Sequence, residues 1–391
     1  MLKNRHIPFL TWLFGGMMLL MMAACSSSDD EGGQGVGKKS AMLAVYVYAP
    51  EQTTASQKKA ALRRADVGDV DVISAAEQKI KSLQLWIYEN VTGKYVGYLE
   101  TTEVASLNTG EGITYQIPVS DEFAANKPKV DVYVQANVKA ANCGVGKLNE
   151  GTTRDALMTG AKITMDYFGL SPLTIEVPTD GLPMAGKLTM QPVVGDAPVL
   201  RVGDMDGVST VALTRAVSKL RFVFAKTTGQ PTVSITSIKI NEGMIPEVEY
   251  LFDETQTLTY NENPGELLPT PIESIAATAD PTDFIYFNQE AQDYEDLINK
   301  AASKQPDPEV TVRGPIYLRE SDKQLAGTIS YKIAGGEEQT VDFQMQQAGD
   351  FSRNHTWIVY AYYAGSGKLQ VQTVYVKNWK NRILNYEFFN W

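Results

Sequence analysis

The feature that most narrows the folds open to this chain is the decapeptide AMLAVYVYAP at residues 41–50. Leu43, Val45 and Val47 alternate with Met42, Ala44, Tyr46 and Tyr48, and both sets are apolar. Such a strand is stable only where both faces are covered, inside a sheet or in a deep groove. Pro50, which cannot donate to a strand ladder, ends it. A polar stretch, EQTTASQKKAA, follows at 51–61, and then the dibasic pair Arg63-Arg64 and a second start at Ala65. Arginines beside an exposed polar linker are accessible to a protease that cleaves after arginine. Two arginines in a loop also fit a merely solvated surface, but the order strand, linker, dibasic pair and new start reads as a placeholder strand. Cut away, it would leave a β-sandwich protein in need of a replacement strand.

Ahead of that strand stands a targeting segment. Lys3, Arg5 and His6 form a positive region, residues 8–22 are apolar but too short to be read as a membrane span, and Met-Ala-Ala-Cys closes at Cys25. The pattern resembles a bacterial lipoprotein signal, in which Cys25 is acylated and becomes the new N-terminus; an ordinary signal peptide with a chance cysteine is the alternative. Residues 26–37, SSSDDEGGQGVG, form a flexible acidic tether. The second cysteine, Cys143, is left without an intrachain partner and reads as a small buried residue.

At 391 residues the chain is too long for one ordinary core, so two domains are expected. Its 19 tyrosines and many β-branched residues favour strands. The net charge is −11, and without residues 1–64, which hold eight of 35 basic and four of 46 acidic residues, it is −15. Such a surface repels nucleic acid and anionic membranes, and no nucleic-acid partner is expected. Alternation predicts strands over 80–89, 94–99, 112–119, 129–138, 187–192, 208–225, 232–241, 315–319, 327–333, 340–345, 357–363 and 368–379, with a helix over 152–166. In 208–225 Leu220, Phe222 and Phe224 share one face and Arg215, Lys219 and Arg221 interrupt the other. Residues 182–186 read as a kinked connection, 196–207 as a loop near the domain boundary, and 242–282 as long surface loops. Trp86, Trp357 and Trp379 fall in strand patterns and look at least partly like core. The chain ends on ILNYEFFNW at 383–391, apolar on both faces, a liability unless it has a destination.

Taken together, the MAAC motif at 22–25, the strand at 41–50, RRADVGD at 63–69, LPMAG at 182–186, LTRAVSKLRF at 213–222, RNHTWIVYAYY at 353–363 and LQVQTVYVKNW at 369–379 resemble the fimbrillin family, the major fimbrial subunits of Bacteroidales (type V pili). The resemblance covers most of the chain in layout. It implies a mostly β protein of two transthyretin-like β-sandwich domains with a few short helices. The expected divisions are a signal peptide at 1–25, a propeptide with tether and placeholder strand at 26–64, sandwiches at 65–205 and 206–379, and a donor segment at 380–391. It implies a lipoprotein precursor held at the outer membrane, cleavage after Arg64 or Arg63 by an arginine-specific protease, and Ala65 as the mature N-terminus. The placeholder strand of Leu43, Val45 and Val47 would then yield to a C-terminal strand of the next subunit, from Leu369 onward and including Ile383, Leu384, Tyr386, Phe388 and Phe389. The implied partners are other pilin subunits, tip and anchor subunits among them, and a host or bacterial surface ligand.

Catalytic chemistry finds little support in these residues. The histidines are His6, in the signal, and His355, at a strand entry where it suits a turn, so no histidine cluster for zinc exists. No phosphate-binding or dinucleotide loop follows a strand, and Asp204 and Asp206 lack the further ligands of a calcium loop. No enzyme activity, cofactor or metal is expected. Beside the structural pilin stand a fimbrial tip adhesin, with 242–282 as candidate ligand loops, and a monomeric glycan-binding surface lipoprotein, which would present exposed aromatic platforms and need no cut at Arg64.

Overall fold

A computed structural model of the chain describes residues 41–49, 76–109, 112–138, 148–164, 177, 180–194, 199–202, 210–253, 255–260, 262, 266–268, 270–279, 310–345, 348–349 and 351–376. Strands are numbered in chain order. One sheet holds β1 (Ala41–Tyr48), β4 (Ile113–Val119), β8 (Val193–Val194), β9 (Val199–Val202) and β10 (Val211–Ala212). A second runs in the order β11 (Thr214–Arg215), β7 (Met184–Met190), β5 (Val130–Ala136), β2 (Leu83–Glu89), β3 (Tyr95–Thr101). Their facing alternate residues make one core, with Leu43, Val45 and Val47 packed among Leu85, Ile87, Val132 and Val134.

A second pair of sheets follows. β15 (Ala277–Thr278), β12 (Ser218–Thr227), β19 (Thr356–Tyr363) and β20 (Gln370–Val376) lie in that order, with β16 (Thr311–Leu318) also paired to β12. They face β13 (Val233–Ile240), β17 (Ala326–Ile333) and β18 (Glu338–Gln344) across a core of Leu220, Phe222, Phe224, Ile235, Ile329 and Trp357. β6 (Lys162–Thr164) pairs with β14 (Val248–Tyr250), joining segments from the two halves of the chain. A third apolar cluster, with Trp86, Leu157, Val217, Phe252 and Tyr317, buries the outer face of β2. The protein is mostly β, and among the described residues the α-helices are short: α1 (Asp121–Asn126) and α2 (Arg154–Gly160), capped by the Ser120 and Thr153 hydroxyls.

Four expectations need correction. The helix predicted over 152–166 is only the 7 residues of α2, about two turns, because Lys162-Ile163-Thr164 leaves the helix to pair with β14. Residues 208–225 are not one strand: β10 pairs with β1, β11 with β7, and β12 starts the second pair of sheets. Residues 184–186 of the expected kinked connection already belong to β7. Residues 242–282 do more than cover the surface, since Ile245, Leu251, Phe252, Leu267, Leu268 and Ile275 are buried there. Polar residues dominate that stretch, and its spaced apolar anchors do not produce a strand-like alternation.

Candidate functional site

β1 is an interior strand. Along one edge residues Ala41 to Val47 pair antiparallel with Val119 to Ile113 of β4. Along the other, Met42 to Val45 run parallel to Val199 to Val202 of β9, and Val47 and Tyr48 run parallel to Val211 and Ala212 of β10. The Leu213 amide donates to the Tyr48 carbonyl at 2.8 Å, continuing the ladder past β10. Leu43, Val45 and Val47 are 0% exposed, which sets the register, since a one-residue slip would turn all three outward. The opposite face is covered less completely than its apolar sequence suggests. Ala44 is buried, but Met42, Tyr46 and Tyr48 remain partly accessible.

The walls of this slot are apolar and close. Tyr115, opposite Val45, is buried in the core, and its hydroxyl donates to the Glu103 carbonyl at 2.9 Å. Burial first, and the Glu103 charge second, push this phenol up to about 12, so it stays neutral. Gly112 has φ +73°, and a Cβ there would lie 2.3 Å from the Tyr46 hydroxyl, so the turn before β4 admits only glycine where Tyr46 lies. A Cβ on Gly186 would stand 2.4 Å from the Ala212 carbonyl oxygen, so β7 of the facing sheet crosses β10 at backbone contact.

A charged cluster lies just beyond the linker. Glu77 is fully buried; its Oε1 accepts from Lys219 Nζ at 3.0 Å and from the Tyr317 hydroxyl at 2.5 Å, while its carbonyl accepts from Arg215 Nε at 3.2 Å. Burial, then the Glu77 charge, drives the Tyr317 phenol far above its ordinary value. Arg215, Lys219 and Arg221, which break one face of the 208–225 pattern, are therefore buried. The residue that makes this tolerable, Glu77, is 142 positions from Lys219, and no local pattern announces it.

Cys25, Arg63, Arg64, Ala65 and Cys143 lie outside the described residues, as do Asp204, Asp206, Trp379 and the donor residues Ile383, Leu384, Tyr386, Phe388 and Phe389. Trp86 and Trp357 are buried, and Trp86 Nε1 donates to the Asn149 carbonyl at 3.0 Å. His355 serves the turn before β19, with Nδ1 2.8 Å from the Arg353 carbonyl oxygen. Leu369 packs in the second core, and β20 is paired along its length with β19.

No curated protein matches this chain. Among solved structures it is similar to a "putative cell adhesion protein" from Parabacteroides distasonis, at 15% identity and a TM-score of 0.50, over 87% of this chain and 97% of that one. It is also similar to the tip fimbrial protein Mfa3 from Porphyromonas gingivalis with C-terminal truncation, at 12% identity and a TM-score of 0.48, over 86% and 98% of the two chains. At 15% identity the likeness to the Parabacteroides distasonis protein is one of fold. Residues 53–235 match the model of the major fimbrial subunit protein (FimA). That segment runs from the polar stretch after β1 into β13, and over it the chain is similar to the major fimbrial subunit family.

Proposed function

We propose that this chain is a structural pilin of cell-surface fimbriae whose first strand is a placeholder, exchanged for a strand of the next subunit. The observation that carries the reading is β1 itself: the first strand among the described residues, with three fully buried side chains, paired on both edges, and followed in sequence by the stretch that holds Arg63 and Arg64. Removing it would uncover the backbone donors and acceptors of β4, β9 and β10 together with three apolar pockets. Burying Leu43, Val45 and Val47 stabilises by about 1.5–3 kcal/mol each, and each ladder hydrogen bond adds roughly 1 kcal/mol net. An incoming strand with the same apolar alternation recovers both, which is β-strand addition. Because donor and acceptor surfaces differ, the association is head-to-tail and does not close, so it grows a filament.

In this reading Cys25 is lipidated and holds the precursor at the outer membrane. Cleavage after Arg64, or Arg63, makes Ala65 the mature N-terminus, and the segment 383–391 supplies the donor strand. The buried Glu77 cluster anchors the chain shortly after the cut, so the mature terminus stays attached while β1 leaves.

Limited trypsin digestion of the chain lacking residues 1–25, followed by mass spectrometry and native gels, tests this. Release at Arg63 or Arg64 followed by a ladder of multimers is expected, and a chain ending at Lys380 stays monomeric after the same cut. A full-length chain that is cut yet remains a stable monomer would overturn polymerisation; resistance near residue 64 would overturn the placeholder role.

A further inference from the structure

A cleft of about 630 Å³ opens in the second half of the chain, away from β1. One wall is a loop whose ends are tied by pairing of Pro246 with Tyr260 and by the Glu247 amide donating to the Thr259 carbonyl at 2.8 Å. The other wall is the turn after β16 and the segment that enters β19. These walls are cross-braced. Arg353 Nε donates to Glu320 Oε1 at 2.9 Å, and its Nη2 donates to the Tyr250 carbonyl at 3.1 Å. The Glu320 amide donates to Glu249 Oε2 at 3.0 Å.

Glu249 lines this cleft and is only 2% exposed, yet its Oε1 accepts no hydrogen bond. Arg353 Nε stands 3.4 Å away but directs its hydrogen to Glu320. A buried carboxyl oxygen without a donor costs free energy unless something in the cleft supplies one. Burial outweighs the neighbouring arginine and pushes the Glu249 carboxyl up to about 8, so both its forms are accessible near neutrality. A hydroxyl, donor and acceptor at once, matches either form; an ammonium group, donor only, gains a charge partner only from the ionised one and would sit against Arg353. Anions are disfavoured, because among the described lining residues Glu249, Asp253, Glu320 and Asp322 outnumber Arg353 and Lys323, with buried Arg319 close behind Glu249. Among the described residues no group of three or more histidine, cysteine or acidic side chains is placed to hold a metal ion. The rings of Tyr250 and Tyr260 line the same cleft, with the Lys323 ammonium over one face of the Tyr260 ring at 4.9 Å from its centre, and the cleft volume suits a small ligand.

We infer that this cleft is a binding site for a neutral, hydroxyl-rich ligand, a carbohydrate of one or two rings, with Glu249 as the hydrogen-bonding anchor and Tyr250 and Tyr260 as the ring contacts. The site is separate from strand exchange, and the two readings stand or fall independently.

The test uses the uncut chain lacking residues 1–25 in saturation-transfer NMR with millimolar maltose, lactose and N,N′-diacetylchitobiose, and with sialic acid and lysine methyl ester as charged probes. Transfer to at least one neutral saccharide is expected, weakened about tenfold or more in Glu249→Leu, which removes both the donor and the acceptor, and in Tyr260→Ala, an accessible change that leaves the core intact. Retained circular dichroism in Tyr260→Ala separates lost binding from lost folding. No transfer to any of the three saccharides, transfer unaltered in Tyr260→Ala, or transfer to a charged probe alone overturns the inference.

Discussion

Replacing Leu43 with alanine separates the uncut chain from the assembled one. Leu43 is 0% exposed and packs in the first core beside Val45 and Val47, with the Ile117 side of β4 on one flank and Leu200 of β9 on the other. Truncation removes about three methylene equivalents, worth about 0.8 kcal/mol each by transfer. The cavity left behind adds to this, so the total is about 2–5 kcal/mol, as for other fully buried leucines. The uncut Leu43→Ala chain should therefore unfold at a lower guanidinium concentration, with Met42→Ala, on the partly accessible face, shifting it far less. Under the proposed strand exchange, fimbriae assembled after the arginine cut would lack residues 41–49, so their melting temperature should equal that of wild-type fimbriae. Faster assembly is expected, because the departing strand is held less tightly. Equal destabilisation of the assembled fimbriae would refute the reasoning, since it would mean that β1 stays in place. An unshifted unfolding midpoint in the uncut chain would show that β1 does not carry the core.

Glu77→Ala leaves Lys219 buried without its carboxylate and should cost roughly 3–5 kcal/mol in denaturant unfolding, while Glu77→Leu with Lys219→Met recovers most of that loss; a single-variant cost under about 1 kcal/mol would refute this. Gly186→Ala places a methyl against the Ala212 carbonyl and should destabilise by about 1–3 kcal/mol, read from the thermal midpoint. The Glu249 carboxyl is held up to about 8 against an ordinary value of 4.5, so the folded protein keeps a proton that the unfolded chain releases. Its contribution to stability is therefore complete below about pH 4.5 and falls as pH rises towards about 8. Denaturation midpoints across that range should decline less steeply in Glu249→Gln, and equal slopes would refute the assignment.

Much of the architecture is legible in local pattern. Alternation marks β2, β5, β13, β17 and β19 because each puts one set of side chains into a core. It fails at 208–225, where the apolar run continues while its hydrogen-bonding partner changes twice, since partner choice is a long-range property that periodicity does not encode. It fails again at Glu249 and Arg353. A glutamate in a polar stretch reads as solvated, and its burial depends on β6 and the turn after β16 arriving from elsewhere in the chain.

The sequence by itself determined that residues 41–50 hold a strand ended by Pro50, with Leu43, Val45 and Val47 together on one of two apolar faces, and that an arginine pair follows it. These properties rest on side-chain spacing and on short-range backbone preference. Only the tertiary structure decided that the strand lies between β4 on one edge and β9 with β10 on the other, that Arg215 and Lys219 turn inward to meet Glu77, and that Arg221 is buried too. Both outcomes depend on segments 66 (Val47 to Ile113) to 164 (Val47 to Val211) positions apart along the chain. Burial of charge is favourable there only because the opposite charge is delivered to the same place by a different strand.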